Sequence, residues 1–345
     1  MKALVRTSLE PGAMELMERD VPEINEDEVL IEIKAVGVCG TDIHIYNGNV
    51  ETATDVIIGH ELAGVIAKKG KNVERVNVGD HVVSRLNVGV CGVCKACLSG
   101  NPQMCEKRTC PGHWVDGAYA EYMKIEEKQV IAYDKDKISF EEAALVEPMA
   151  CVAHALLERA TVKPEDFVVL YGPGPIGLLA LQMAKINGAS KVIVVGVESD
   201  EALRLPLAKK LGADMTLVSG KDDVEKIVKE LTGGEGADLV IDCSGAAPAI
   251  NAGIRMLRRQ GRMCVIGLPG KKEISVEWLT AAQKSLNVIF SYSSSPTSWN
   301  LCLSMLERGA IDVKSLISHK ASLEDFEDII EATKKGQVIK AIIEP

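Results

Sequence analysis

The feature that most limits the fold of this chain is an alternation of apolar strands with helical segments that starts near Phe167. Short runs such as FVVLY, KVIVVG and ADLVIDC are each followed by apolar residues at the 3.6-residue period of a helix. Strands joined in this way are parallel, because the chain crosses back over the sheet before the next strand begins. The alternation predicts a doubly wound α/β sheet over residues 151–293, with LNVIFSYS (286–293) as its sixth parallel strand.

The first of these strands ends in a glycine-rich turn that opens a helix. The sequence VVLYGPGPIG places Gly172, Gly174 and Gly177 between the two elements, with Pro175 and Ile176 in the same turn. Glycines here let the backbone turn tightly and approach a pyrophosphate, which the N-terminus of the helix then binds. The turn and its flanking elements therefore predict a dinucleotide cofactor.

The end of the second strand leaves the choice between NAD and NADP open. An acidic residue is expected there to bind the ribose hydroxyls of NAD, but the strand ends on Gly196. Glu198 and Asp200 follow in the turn, and either carboxylate can reach the ribose. The space at Gly196, with Arg204 nearby, suits the 2′-phosphate of NADP equally well. A solvated loop without a role in binding is the remaining interpretation.

Residues 1–150 follow a different pattern. Short β-branched segments, such as 29–36, 62–68 and 81–86, are separated by Gly, Asn and Asp. Strands spaced in this way are typical of a β-barrel or a sandwich rather than of a βα repeat.

Four cysteines within this part occur at the spacing C-x2-C-x2-C-x7-C, in VCGVCKACLSGNPQMC. The surrounding loop is rich in Gly, Ser, Asn and Pro and has few apolar groups, so four thiolates around a tetrahedral Zn²⁺ would stabilise it. A disulfide cluster and scattered buried cysteines are the alternatives. The spacing predicts a structural zinc in a lobe of about residues 88–110, bound by Cys91, Cys94, Cys97 and Cys105, with Cys110 as a weaker candidate for the fourth ligand.

A second group of residues has the mixed ligands of a catalytic metal site. The segments CGTDIHIY, GHELAG and VEPMACVAHAL supply a thiolate, an imidazole and carboxylates, which suit a catalytic zinc with an open position. The candidate ligands are Cys39, His60, Glu61 and Glu147. Each also has an ordinary interpretation as a core or surface residue, so spacing alone does not establish this site.

Composition argues against several classes of protein. A net charge of −10 and 4% aromatic residues do not fit a zinc-stabilised nucleic-acid-binding module. The uncharged stretch 167–184 contains glycines and prolines that would break a helix, so no membrane span is expected. The N-terminal residues lack the pattern of a signal peptide, and we expect a cytoplasmic protein.

The motifs in combination resemble those of the zinc-containing medium-chain dehydrogenase/reductase family, the alcohol dehydrogenase superfamily. The resemblance covers essentially the whole chain and includes DGAYAEY and DCSG beside the motifs above. It is greatest for the polyol, butanediol and threonine dehydrogenase branch. It implies a GroES-like β-barrel catalytic domain over residues 1–150 and 294–345, interrupted by a Rossmann nucleotide-binding domain over 151–293.

The resemblance also implies roles for the metal-site candidates. Cys39 and His60 would bind the catalytic zinc, with Glu61 as a third ligand or a close neighbour. Glu147 stands where alcohol dehydrogenases use a cysteine and would bind the zinc directly or through water.

The resemblance also implies catalytic roles for three residues near Cys39. Asp42 would orient His60, Thr41 would hydrogen-bond the substrate hydroxyl, and His44 would pass its proton toward solvent.

The expected function is the oxidation of a secondary alcohol, such as a sorbitol- or iditol-like polyol or a vicinal diol, by NAD or NADP. CGTDIHIY is most similar to threonine dehydrogenases, whereas VEPMACVAHAL is more similar to polyol and diol dehydrogenases. L-threonine 3-dehydrogenase is therefore one alternative, and a dinucleotide-binding protein without catalysis is another. The resemblance further implies a homotetramer.

Overall fold

The computed structural model describes all 345 residues. Its strands are β1 (Lys2–Arg6), β2 (Met14–Glu18), β3 (Glu28–Gly37), β4 (Val56–Ile57), β5 (Glu61–Lys69), β6 (His81–Ser84), β7 (Tyr122–Glu126), β8 (Val130–Ala132), β9 (Phe167–Tyr171), β10 (Lys191–Gly196), β11 (Met215–Val218), β12 (Ala237–Asp242), β13 (Leu257–Val265), β14 (Asn287–Phe290), β15 (Ile317–Ala321) and β16 (Lys340–Ile343). Its helices are α1 (Gly40–Tyr46), α2 (Lys95–Leu98), α3 (Phe140–Ala144), α4 (Val146–Ala153), α5 (Pro175–Ile186), α6 (Arg204–Lys210), α7 (Val224–Leu231), α8 (Ala247–Met256), α9 (Trp278–Gln283), α10 (Pro296–Glu307) and α11 (Phe326–Lys334). None of these helices combines the length and the apolar character that crossing a membrane requires.

The chain divides into two compact units. The first contains residues Met1–Pro148, Ser295–Gly309 and Ile317–Pro345, and the second contains Met149–Ser294 and Ala310–Leu316. The first unit is interrupted after Pro148, and the short segment Ala310–Leu316 groups with the second unit. In the structure, Gln182 of α5 exchanges two hydrogen bonds with the backbone of Asp312, at 3.1 and 2.7 Å. These bonds fasten the segment to the second unit.

The first unit is built on a seven-stranded sheet in the order β15-β16-β3-β5-β6-β8, with β7 also paired to β3. A smaller sheet has the order β2-β1-β4, and all strand pairs of the unit are antiparallel except β15 with β16. Alternate side chains of β3, Val29, Ile31 and Ile33, enter a core that also holds Phe326 and Ile330 of α11. The predicted β-rich first part of the chain is confirmed.

The second unit contains a six-stranded parallel sheet in the order β11-β10-β9-β12-β13-β14. The central strands β9, β10 and β12 are almost wholly buried, as expected when helices cover both faces. The order corresponds to 3-2-1-4-5-6 within the sheet, which confirms the doubly wound prediction and places the predicted sixth strand at the edge. The winding reverses between β9 and β12, and the glycine-rich turn follows β9.

Candidate functional site

The four predicted cysteines of the lobe come together. The Sγ atoms of Cys91, Cys94, Cys97 and Cys105 all lie within 4.8 Å of one another. Cys91 is 4.0 Å from Cys97 and 3.7 Å from Cys105, sulfur to sulfur. Four sulfurs at about 2.3 Å from a tetrahedral zinc would be roughly 3.8 Å apart, so the group fits this metal.

Backbone N–H groups of the lobe lower the pKa of Cys91 and of Cys105, whereas burial raises the pKa of Cys97 to about 12. The backbone N–H of Cys94 donates to Sγ of Cys91 at 3.3 Å, and the N–H of Cys91 donates to Sγ of Cys105 at 3.5 Å. Backbone hydrogen bonds from Val93 and Cys94 lower the pKa of Cys91 to about 6. The apolar side chains of Val93 and Leu98 are about three-quarters exposed, so no local core holds the loop. A bound metal would supply the missing stability.

A second group forms where β3, α1 and β5 meet. Cys39 is the N-cap of α1, two residues after the end of β3, and His60 directly precedes the neighbouring strand β5, whose first residue is Glu61. One ligand atom from each of the three residues lies within 4.8 Å of the other two. His60 and Glu61 are buried and Cys39 is half-buried. A thiolate, an imidazole and a carboxylate thus converge in one place.

Asp42 holds the loop that carries Cys39 and faces His60. Its Oδ2 atom accepts the backbone N–H of Cys39 and the hydroxyl of Tyr119, both at 2.9 Å. Its Oδ1 atom is 3.5 Å from Nδ1 of His60, and neither of these two atoms has a hydrogen-bond partner in the protein. The other ring nitrogen of His60 is then directed away from Asp42, as in an oriented metal ligand.

Glu61 forms an ion pair with Lys340 of β16, and both side chains are almost completely buried. The ammonium of Lys340 also donates to the carbonyl of Val38 at 2.8 Å. Any side chain at Gly37 would overlap with the Glu61 carboxylate, so glycine makes room for the pair. The other carboxylate oxygen of Glu61 remains for a metal.

Negative charge dominates around His60. Burial alone would lower the pKa of His60, but Asp42 and Cys39 raise it well above the ordinary value. Such a site favours a cation bound between these side chains. Donor types, convergence and charge therefore fit a zinc ion held by Cys39, His60 and Glu61.

The other predicted site residues are not among the three converging ligands. Thr41 is close to Cys39, with Oγ1 3.6 Å from Sγ, and His44 lies one turn later on α1. Glu147 is buried in the first turn of α4 but is not one of the three converging ligands. Cys110 lies outside the four-cysteine group; burial raises the pKa of its thiol, and the charges of His60 and Glu147 also act on it.

Each glycine of the glycine-rich turn in the second unit has a different structural role. Gly172 has φ +89°, which allows the chain to leave β9 sharply. A side chain at Gly177 would overlap with the carbonyl of Gly172, so only glycine lets α5 pack there. Gly174 has no protein atom within 4 Å of the position of a Cβ, which leaves space for a ligand at the helix N-terminus. Pro175 and Ile176 are the first residues of α5.

The acids after β10 occupy different environments. Asp200 is buried, accepts the N–H of Val197 at 2.9 Å and pairs with Arg204 at 3.1 Å. Glu198 is exposed and pairs with Lys221 at 3.1 Å. The positive charge of Arg204 is therefore largely balanced by Asp200.

Sequence reasoning missed three side chains next to the second group: Tyr119, Lys340 and His113. A lysine inside the apolar strand KAII is a signal that could have identified Lys340 as a buried charge. Tyr119 belongs to a motif that gave no role for its hydroxyl, and no pattern marks His113. Its ring lies 5.6 Å from that of His60, centroid to centroid.

Two family models match the chain. Residues 25–135 match the alcohol dehydrogenase GroES-like domain, and residues 175–308 match the zinc-binding dehydrogenase domain. Three curated relatives extend the match to the whole chain. A sorbitol dehydrogenase of Halalkalibacterium halodurans is 37% identical, covering 100% of this chain and 99% of the relative. A D-arabitol-phosphate dehydrogenase of Enterococcus avium is 36% identical (100% and 97%), and an L-threonine 3-dehydrogenase of Bacillus velezensis is 35% identical (100% and 99%).

Solved structures agree with this match. A chain from Sinorhizobium meliloti 1021 with bound NADP has a TM-score of 0.91 at 27% identity, covering 100% of this chain and 99% of that one. Galactitol-1-phosphate dehydrogenase from Escherichia coli has a TM-score of 0.89 at 27% identity, with 100% of both chains covered. The similarity confirms the predicted combination of a GroES-like domain with a Rossmann domain.

Proposed function

The chain belongs to the zinc-containing alcohol dehydrogenase superfamily, and on that basis we propose that it oxidises a secondary hydroxyl of a polyol or vicinal diol. The hydride acceptor in this reaction is a nicotinamide dinucleotide. The observation that carries the proposal is the convergence of Cys39, His60 and Glu61 beside the helix that holds Thr41 and His44. The relatives named for sorbitol and arabitol phosphate support the substrate class.

We propose that Cys39, His60 and Glu61 hold the catalytic zinc, with Glu147 as a ligand that binds directly or through water. When bound, this zinc supplies a Lewis acid that lowers the pKa of the substrate hydroxyl. The four cysteines of the lobe would hold the structural zinc. Asp42 keeps His60 in the orientation that the metal requires.

Thr41 and His44 would move the proton of the substrate. They are three residues apart on α1, so their side chains share one face of the helix. We propose that the Thr41 hydroxyl accepts the hydrogen bond of the substrate hydroxyl, and that His44 receives the proton and passes it to solvent.

The dinucleotide would bind at the turn Gly172–Gly174 with its pyrophosphate at the start of α5. We favour NAD over NADP, because Asp200 already balances the charge of Arg204, and Glu198 and Glu201 together outweigh the charge of Lys221. Both features oppose a 2′-phosphate.

Three wider proposals follow from the family. The catalytic domain would comprise 1–150 and 294–345, and the nucleotide-binding domain would comprise 151–293.

We propose a homotetramer, because Trp278 and Phe290 are each about two-thirds exposed on the second unit, where one edge of β14 is unpaired. We also propose a cytoplasmic location, since a reducing compartment keeps the clustered cysteines available as metal ligands.

A matrix of substrates and cofactors tests the proposed reaction. Alditols, alditol phosphates, vicinal diols, L-threonine and primary alcohols are each offered with NAD and with NADP, and reduced nicotinamide is followed by absorbance. We expect diols or alditols to have the highest kcat/KM, with NAD preferred. A preference for L-threonine would favour the alternative that CGTDIHIY and the threonine dehydrogenase relative support. No turnover with any alcohol would contradict the proposal.

A further inference from the structure

His113 presents two unused hydrogen-bonding atoms beside the proposed metal ligands. Its ring meets that of His60 edge-on, with a centroid distance of 5.6 Å and an interplanar angle of 61°. The side chain is half-buried, and neither ring nitrogen has a hydrogen-bond partner in the protein. Neither nitrogen is among the fully buried polar atoms that lack a partner, so both can bond to water or to a ligand.

The backbone that carries this ring is held in place. Gly112 has φ +79°, and a Cβ there would lie 2.7 Å from the carbonyl oxygen of Gly59, the residue before His60. The carbonyl of His113 accepts the N–H of Ala53 at 2.8 Å, and its own N–H donates to Cys110 at 3.1 Å. The turn is therefore packed directly against the segment that carries His60, which holds the backbone of His113 beside this proposed ligand.

Two simpler roles do not account for this arrangement. His113 is not among the residues whose ligand atoms converge within 4.8 Å, so the geometry does not make it a fourth ligand. A purely structural ring at this position would need no nitrogen atoms, since it makes no hydrogen bond with the protein. The accessible nitrogens can therefore bond to water in the free protein and to a group of the substrate when one is bound.

We infer that His113 is a specificity-determining residue that hydrogen-bonds the hydroxyl adjacent to the reacting carbinol. The inference rests on the proposed oxidation of polyols or vicinal diols, in which each reacting carbon has such a neighbour. An imidazole can donate to that hydroxyl or accept from it. A monohydric alcohol would leave the nitrogen unpaired, and sites built to bond a hydroxyl discriminate against analogues without one.

The test compares butane-2,3-diol with butan-2-ol for the wild type, His113→Phe and His113→Gln. Phenylalanine keeps the ring but removes both nitrogens, whereas glutamine restores a donor and an acceptor. We expect His113→Phe to lower kcat/KM for the diol about tenfold or more, with less than a twofold change for butan-2-ol. His113→Gln should recover part of the loss. His81→Phe is the matched control, because His81 stacks on Phe140 elsewhere in the first unit.

Zinc content and the wild-type rates separate the possible failures. Equal losses for both alcohols, or loss of zinc from both variants, would show that His113 supports the fold or His60 and would overturn the inference. An unchanged ratio of the two alcohols in His113→Phe would also overturn it while the proposed function stands. A wild type that oxidises no diol or polyol would remove the proposed function, and this inference with it.

Discussion

Single side chains balance the charges around the proposed catalytic metal. Glu61 and Lys340 are each at most 2% exposed, and moving such ions out of water costs several kcal/mol each. Burial lowers the pKa of Lys340, but Glu61 and Cys39 raise it overall, so the lysine stays charged. Their attraction and the bond to Val38 offset the cost of burial only while both partners are present.

Removing the lysine alone should therefore lower the stability of the fold. In protein stripped of zinc, we expect Lys340→Met to lower the free energy of unfolding by about 3–5 kcal/mol, because the Glu61 carboxylate is left buried without a counter-charge. The double variant Glu61→Gln with Lys340→Met should recover a large part of this loss. Urea denaturation followed by fluorescence measures both. A single variant as stable as the wild type would show that the pair contributes nothing to the fold.

At the scale of elements, the turn between β9 and α5 separates packing from ligand binding. A Cβ at Gly177 would overlap with the chain itself, whereas a Cβ at Gly174 would meet no protein atom within 4 Å. The same substitution at two positions of one turn should therefore have two different effects.

We expect Gly177→Ala to lower the melting temperature by several degrees, because α5 can no longer pack against the turn. Gly174→Ala should leave the melting temperature unchanged but raise the Kd of the dinucleotide at least tenfold, since its methyl group occupies the space for the pyrophosphate. Differential scanning fluorimetry and titration calorimetry distinguish the two. Gly270→Ala, which also meets no atom within 4 Å, is the control. Normal dinucleotide binding by Gly174→Ala would place the cofactor elsewhere.

At the scale of the whole molecule, the sequence predicted features that depend on local patterns, but not contacts between residues far apart in the chain. The parallel sheet of β9 to β14 follows from strand and helix periods, and the four-cysteine group follows from spacing within one loop. Lys340 lies almost at the other end of the chain from Glu61, and the approach of Gly112 to Gly59 depends on tertiary packing. No local rule connects such residues, so the surroundings of the second group emerged only from the structure.

The proposed assembly can be tested at the same scale. Placing a charge on the free edge of the sheet, as in Phe290→Asp, should convert a four-chain particle into smaller species, because burying an unpaired carboxylate in an interface is unfavourable. Light scattering after size exclusion gives the mass directly. Val78→Asp replaces an equally exposed apolar side chain of the first unit and should leave the assembly intact. A wild type that is already monomeric would contradict the proposed tetramer.

The central claim is that one of two zinc ions carries the chemistry through Cys39, His60 and Glu61. Counting zinc per chain by plasma mass spectrometry, together with initial rates on a diol, tests it in the wild type, Cys39→Ser and Cys94→Ser. We expect two zinc ions in the wild type. Cys39→Ser should keep one zinc and lose all detectable activity, whereas Cys94→Ser should lose the lobe zinc and melt at a lower temperature while its folded fraction still turns over. A Cys39→Ser protein that retains two zinc ions, or that still oxidises the diol, would contradict the account.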